Sequence, residues 1–288
     1  MKRQSERRRV RVARPTGFCF GVERAIRLAR DGQAKHGRVF TLGELVHNPS
    51  VLDELEREGI RAVKRVEQCR GGALVIRAHG APPEVADRCR ELGITMIDAT
   101  CPYVGKVQSV ARRLKSQGYA VVVVGEKNHP EVRSILGFSG DAGRVYSPRM
   151  RLRSPKVGVV AQTTTSHPRL REAVANLNRL RYTELRVFDT ICEEVTARQR
   201  AAARLAAVCD LVVVVGGRSS ANTSRLAEIV RDAGAEMVHV ERASELPRER
   251  LARCRRVGVV AGSSTPAWVV SEVADFVRNP DKEDRTDV

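Results

Sequence analysis

The chain has 288 residues, enough for one large domain or two to three small ones, and is 42% apolar but only 4% aromatic. No apolar run approaches the roughly 18 residues that a membrane span needs. The start, MKRQSERRRV, lacks the apolar segment of a secretory signal, so no membrane partner and a cytoplasmic location are expected. The net charge of +17 comes from 8 Lys and 43 Arg, but the arginines are scattered. There is no long basic block beyond the N-terminus, no interleaving with aromatics and no zinc-finger spacing, so no nucleic-acid partner is expected. An Arg-biased genome would suffice to make such a surface, and the surface would also steer an acidic protein or an anionic substrate inward.

In chain order, residues 1–9 read as a basic tail and Arg11–Ala13 as a short strand. The turn at Pro15–Gly17 leads to Cys19 and a helix over Val22–Gly32. A strand at Val39–Leu42 precedes Val46-His47-Asn48-Pro49 and a helix over Ser50–Gly59 with a Gly stop. A strand at Ala73–Ile76 delivers Arg77-Ala78-His79-Gly80. A strand at Ile94–Ile97 delivers Asp98-Ala99-Thr100-Cys101-Pro102 and a helix over Tyr103–Gln117. Ala120–Val124 is a continuous Val run, the pattern of a strand buried on both faces, and ends in a loop holding His129-Pro130-Glu131. A helix follows, and then a strand at Val157–Ala161 delivers Gln162-Thr163-Thr164. Asp189-Thr190-Ile191-Cys192 opens a helix to about Val208. The Val run Leu211–Val215 delivers Ser219-Ser220-Ala221-Asn222 and a helix over Ser224–Ala233. A strand at Val257–Ala261 delivers Ser263-Ser264, a helix covers Trp268–Val277, and a polar tail closes the chain.

This order contains an internal repeat. Cys19 to His47, Cys101 to His129 and Cys192 to Ser220 are each separated by 28 residues, and VGVVAQTT nearly matches VGVVAGSS. Alternating strands and helices imply parallel sheets with right-handed crossovers, whose ligands gather at the carboxyl ends of the strands. The fold expected is α/β, with three pseudo-threefold-related lobes in a trefoil, each with a small, mainly parallel sheet, around a central site. The boundaries expected are a basic tail at 1–9, lobes at 10–98, 99–189 and 190–280, and a polar tail at 281–288.

Seven cysteines, an odd number, in a chain without an export signal argue against a disulfide framework and leave metal or cluster ligation open. Cys19, Cys101 and Cys192 occupy equivalent positions ahead of helix N-termini, where amides and the helix dipole favour thiolate. Three thiolates can hold a zinc or a [4Fe–4S] cluster. Zinc normally takes a fourth protein ligand and paired CxxC elements, and neither is evident. A cluster with three thiolates keeps one iron open as a Lewis acid. Cys69, Cys89, Cys209 and Cys254 lack the repeat context. His47, His79 and His129 sit at strand ends with Asn48, Thr163, Thr164, Ser220, Asn222, Ser263 and Ser264, a set suited to holding an anion. Lys and Arg are nearly absent from these tips, which favours neutral or imidazolium donors to a diphosphate. Glu131 is the carboxylate just beyond a His tip and is a candidate general acid.

At these residues the chain resembles the IspH/LytB family of 4-hydroxy-3-methylbut-2-enyl diphosphate reductases. The motifs are GFCFGVERAI around Cys19, VHN at 46–48, RAHG at 77–80, DATCPYV around Cys101, HPE at 129–131, QTT at 162–164, DTIC at 189–192 and SRLAE at 224–228. The resemblance spans residues 11–277. It implies one [4Fe–4S] cluster per chain, held by Cys19, Cys101 and Cys192, with the fourth iron open to the substrate's hydroxyl. It implies that His47, His79, His129, Ser220, Asn222 and Ser264 hold the diphosphate, at a tip that includes Ala221. Thr163 and Glu131 would address the hydroxyl end, Glu131 as proton source. Two electrons and protons would remove the hydroxyl to give isopentenyl and dimethylallyl diphosphates, the electrons coming from ferredoxin or flavodoxin. The chain departs from the family pattern at Ala221, where a second Ser is usual, at Glu194 and Val195, where Ala-Thr is usual, and at Gly105, where Thr is common. A diverged paralogue that binds a cluster but uses another substrate or senses redox state is the alternative. A basic, zinc-holding nucleic-acid binder is a further class.

Overall fold

The computed structural model describes residues 8–280. Its first third forms β1 (Arg9–Val12), α1 (Phe20–His36), β2 (Val39–Leu42), α2 (Pro49–Arg57), β3 (Ile60–Val63), β4 (Ala73–Ile76), α3 (Pro83–Glu91) and β5 (Thr95–Asp98). The middle third forms α4 (Pro102–Ser116), β6 (Ala120–Val124), α5 (Pro130–Ser139), β7 (Gly143–Val145), β8 (Lys156–Ala161), α6 (His167–Leu177) and β9 (Glu184–Phe188). The last third forms α7 (Glu193–Val208), β10 (Leu211–Val215), α8 (Ala221–Asp232), β11 (Glu236–Val240), α9 (Arg248–Ala252), β12 (Arg256–Ala261) and α10 (Ala267–Arg278).

The strands make three four-stranded sheets, ordered β3-β2-β4-β5, β7-β6-β8-β9 and β1-β12-β10-β11, with every pairing parallel. The inner strands are runs of Val and Leu because helices cover both faces, leaving neither face wet. Val121 to Val124 and Leu211 to Val215 are all fully buried. The matching VGVVA strands owe their glycine to helix packing. A Cβ on Gly158 would lie 2.7 Å from Leu114 of α4, and one on Gly258 would lie 3.1 Å from Leu205 of α7.

The chain divides into two compact units. Of the described residues, one holds 8–19, His47–Pro49 and 193–280, and therefore contains the third sheet. The other holds Phe20–Val46 and Ser50–Cys192, and contains the first two sheets. One strand lies elsewhere than the sequence boundaries put it. β1 does not join the first lobe but pairs with β12, with Arg9 opposite Arg256, so the first and last strands of the described chain are neighbours in the third sheet. Arg8 fixes this start by donating to the carbonyls of Val277 at 2.6 Å and Leu251 at 2.8 Å. Of the expected tails, residues 1–7 and 281–288 lie outside the described residues.

Candidate functional site

Each of the three cysteines directly precedes a helix: Cys19 before α1, Cys101 before α4 and Cys192 before α7. All three thiols are half-buried and form no disulfide. One backbone device repeats at all of them. The cysteine amide donates to the carbonyl two residues past the end of an inner strand: Cys19 to Ser263, Cys101 to Ala78 and Cys192 to Thr163, each at 3.0 Å. The equivalence read from spacing is therefore an equivalence of hydrogen bonding.

Local side chains shape the loops. Asp98 accepts from the Thr100 amide at 2.9 Å, and Asp189 accepts from the Ile191 amide at 3.1 Å, which explains the Asp three residues before each of these cysteines. Arg24 of α1 donates to the Thr100 carbonyl and braces the Cys101 loop. Arg198 of α7 does the same for the Cys19 loop. It is fully buried and donates to the carbonyls of Ala261 at 3.1 Å and Gly17 at 2.9 Å, and to Glu194 at 2.9 Å. Glu194, a departure from the family pattern, is thus the partner of a buried guanidinium. Sequence reasoning missed Arg24 and Arg198. Their only signal was an Arg five or six residues into the helix after a cysteine.

In the unit containing the first two sheets, four further side chains gather. Glu131, the second residue of α5, is 1% exposed. Its carboxylate accepts from the Thr163 amide at 2.6 Å and the Thr163 hydroxyl at 2.8 Å. Burial pushes its pKa up to about 7, against the lowering effect of those two bonds. A carboxyl poised there holds a proton at neutral pH and can give it up. His129 caps α5 by accepting the Glu131 amide at its Nδ1, 3.2 Å away, so the ring's N–H is on Nε2 and points away from the cap. The rings of His79 and His129 meet edge to face at 5.1 Å. Thr163 joins the two halves of this cluster, since it holds Glu131 by its amide and hydroxyl and Cys192 by its carbonyl.

In the other unit, His47 Nδ1 lies 3.4 Å from the Ser219 hydroxyl, and the Ser264 hydroxyl reaches the His47 carbonyl at 3.5 Å. Gly217 is required here, because any Cβ would overlap the His47 carbonyl oxygen. Ser220 caps α8 by accepting from the Thr223 amide, with Ala221 first in the helix. Asn222 is buried and donates Nδ2 to Ser263 at 3.3 Å, while its Oδ1 finds no partner. Turning the amide over would let Oδ1 accept from Ser263 and offer Nδ2 to an anion. Arg218 does not serve that purpose, being tied to Glu245 at 2.6 Å.

Cys19, Cys101 and Cys192 each lie just ahead of a helix, and cysteine thiolates are the donors that iron–sulfur clusters take. Among the described residues, no three His, Cys, Asp or Glu side chains sit close enough to hold a single metal ion. Burial raises the Cys101 thiol, the Tyr103 and Val104 amides act against that, and nearby Cys192 and Glu131 add to it. A cation at the thiols would take them as thiolates. Burial likewise pushes up Cys69 (to about 11), Cys89, Cys209 and Cys254, which line cores and are inert.

Three parallel sheets with matched thiols ahead of helices, and a buried carboxyl with a pKa of about 7 in the unit of Cys101 and Cys192, are features of an α/β enzyme. The family model described as LytB protein matches residues 10–278, and the chain belongs to that family. It is 39% identical over 277 residues to the 4-hydroxy-3-methylbut-2-enyl diphosphate reductase of Syntrophotalea carbinolica, covering 94% of this chain and 99% of that one. With the Geobacter sulfurreducens enzyme of the same name it shares 40% over 274 residues, 94% and 97% of the two chains. A solved structure of the (E)-4-hydroxy-3-methyl-but-2-enyl diphosphate reductase, the terminal enzyme of the non-mevalonate pathway, matches at 36% identity and TM-score 0.68, over 94% of this chain and 99% of that one. The structure of the Plasmodium falciparum reductase matches at 25% identity and TM-score 0.89, over 96% and 89%. Among the described residues no helix is long and apolar enough to cross a membrane.

Proposed function

We infer that this chain is a 4-hydroxy-3-methylbut-2-enyl diphosphate reductase, which removes the allylic hydroxyl to give isopentenyl and dimethylallyl diphosphates. We propose that Cys19, Cys101 and Cys192 each give one thiolate to a [4Fe–4S] cluster, one per chain. Such a cluster, with one iron lacking a protein ligand, supplies a Lewis acid for the hydroxyl and a route for two electrons. The observation that carries the reading is the Glu131–Thr163–Cys192 chain of hydrogen bonds, which ties a proton-holding carboxyl to a ligand cysteine.

The protein's own groups have distinct tasks in this reading. Glu131 gives the departing hydroxyl its proton, and its pKa of about 7 keeps much of it protonated at neutral pH. Thr163 orients that carboxyl with two bonds. His129 presents Nε2–H, and with His79, His47, Ser220, Asn222 and Ser264 it holds the diphosphate; Ala221 adds no hydroxyl there. Neutral donors suffice if they are numerous. Two unit charges about 5 Å apart at an effective dielectric near 20 repel by roughly 3 kcal/mol, and hydrogen bonds to charged oxygens offset about 1.5–3 kcal/mol each. Ferredoxin or flavodoxin is the proposed electron donor, an acidic partner for a chain of net charge +17. Seven free cysteines suit a reducing compartment, in keeping with a cytoplasmic location. The test is anaerobic turnover of the allylic diphosphate by cluster-loaded protein with a reduced dye. Formation of the two C5 diphosphates is expected, and a fully loaded protein that forms neither would sink the proposal.

A further inference from the structure

We propose that the first sheet carries a second ligand site, separate from the cysteines, which binds a small organic phosphate or diphosphate bearing a short hydrocarbon arm. In the order β3-β2-β4-β5 the chain reverses direction of growth between β2 and β4, and open α/β sheets bind ligands in the crevice beyond the strand ends at such a point. A cavity of about 370 Å³ opens there, within the range of roughly 300–1,000 Å³ typical of small-molecule sites. Leu42, Val63 and Ile76 at the ends of β2, β3 and β4 give it apolar walls, and Lys64, Arg77 and Arg133 give it charge. No Asp or Glu lines it.

The glycine that follows the inner strand has different neighbours in the other two sheets. At the matching point of the second sheet, the buried Gln162 fills the space beside Gly125 and accepts from the Glu126 amide at 2.9 Å. In the third sheet, the fully buried Thr223 and Thr265 fill the space beside Gly216. In the first sheet the equivalent residue is Arg77. Gly43, at φ +77°, makes room for it, since a Cβ there would lie 2.9 Å from Nη1. One Arg77 N–H goes to the Glu44 carbonyl at 3.2 Å. Burial holds this guanidinium below the ordinary arginine value; Glu44 acts against that and the like charge of Arg133 adds to it. Lys64 and Arg133 form no ion pair among the described residues. Three cations over apolar walls, in a lining without Asp or Glu, match an anionic head on a hydrocarbon arm.

The test measures binding by calorimetry, with isopentenyl diphosphate and inorganic pyrophosphate as probes. It compares the wild-type holoprotein with Lys64→Glu/Arg133→Glu, which alters two side chains at the rim. The double variant should bind one isopentenyl diphosphate fewer per chain, or bind that molecule at least about tenfold more weakly for each cation reversed. Val63→Phe, which fills the cavity and keeps the charges, should lose the same molecule. Pyrophosphate should bind this site at least about tenfold more weakly than isopentenyl diphosphate, because it buries no apolar arm. The predicted difference of one molecule holds whether or not the cysteine site binds the probe, so the result is independent of the proposed reaction. Unchanged stoichiometry and affinity in both variants, or equal affinity for the two probes, would overturn the proposal. So would a weakened grip on an acidic redox protein with no change for isopentenyl diphosphate, which would assign the patch to a protein partner.

Discussion

Replacing Glu131 by Gln removes a titrating group without removing its hydrogen bonds. Gln can accept the Thr163 amide with its oxygen and donate its nitrogen to the Thr163 hydroxyl, so the fold should persist. The folded protein binds the Glu131 proton more tightly than the unfolded chain, because burial raises the carboxyl from 4.5 to about 7. Wild-type stability from this group is therefore full below about pH 4.5, falls as pH rises to about 7, and is level above that. A tenfold change in proton affinity corresponds to about 1.4 kcal/mol, so the stability difference between the Gln variant and wild type should grow by about 3 kcal/mol across that window, in favour of Gln. Urea unfolding of both proteins at pH 5 and pH 8, without cluster, measures it. A difference that does not move with pH would refute the burial argument. With the cluster loaded, the variant should keep its iron and lose most turnover. Full activity would remove Glu131 as proton source.

Other predictions follow from the same contacts. Wild-type turnover should fall about tenfold per pH unit above about 7 as Glu131 loses its proton, whereas Thr163→Val, which removes a bond that holds the carboxyl down, should move that fall to higher pH in a rate–pH profile. Arg198→Met should destabilise the protein by roughly 2–5 kcal/mol in thermal or urea unfolding, because it leaves the buried carbonyls of Gly17 and Ala261 without their donor, at about 1–3 kcal/mol each. Glu194→Ala, which leaves the fully buried Arg198 guanidinium with only carbonyl partners, should cost about 3 kcal/mol or more by the same measurement.

The sequence made the inner strands plain because burial on both faces leaves only apolar residues, and Val39–Leu42, Ala73–Ile76, Ala120–Val124 and Leu211–Val215 begin and end where they were expected. The outer strands β3, β7, β9 and β11 were not legible. They are short, carry charges such as Arg61, Arg144, Arg186 and Glu236, and are strands only because an inner strand pairs with them. The place of β1 could not be read locally either, since its partner β12 lies at the far end of the chain. The matching positions of the three cysteines were legible because a residue type and a spacing recur, each cysteine standing 28 residues before His47, His129 or Ser220, and in the structure each bonds its amide alike. The bracing arginines and the carboxyl–Thr163 bonds depend on which loops meet, and no repeat announces that.

The central claim is that Cys19, Cys101 and Cys192, and no other cysteines, hold an iron–sulfur cluster. Iron, sulfide and zinc content per chain after anaerobic purification tests it most directly, in wild type and in single Cys→Ser variants. About four irons and four sulfides in wild type are expected, retained in Cys209→Ser and lost in Cys19→Ser, Cys101→Ser and Cys192→Ser. Zinc in place of iron, or full iron content in any of those last three variants, would contradict it.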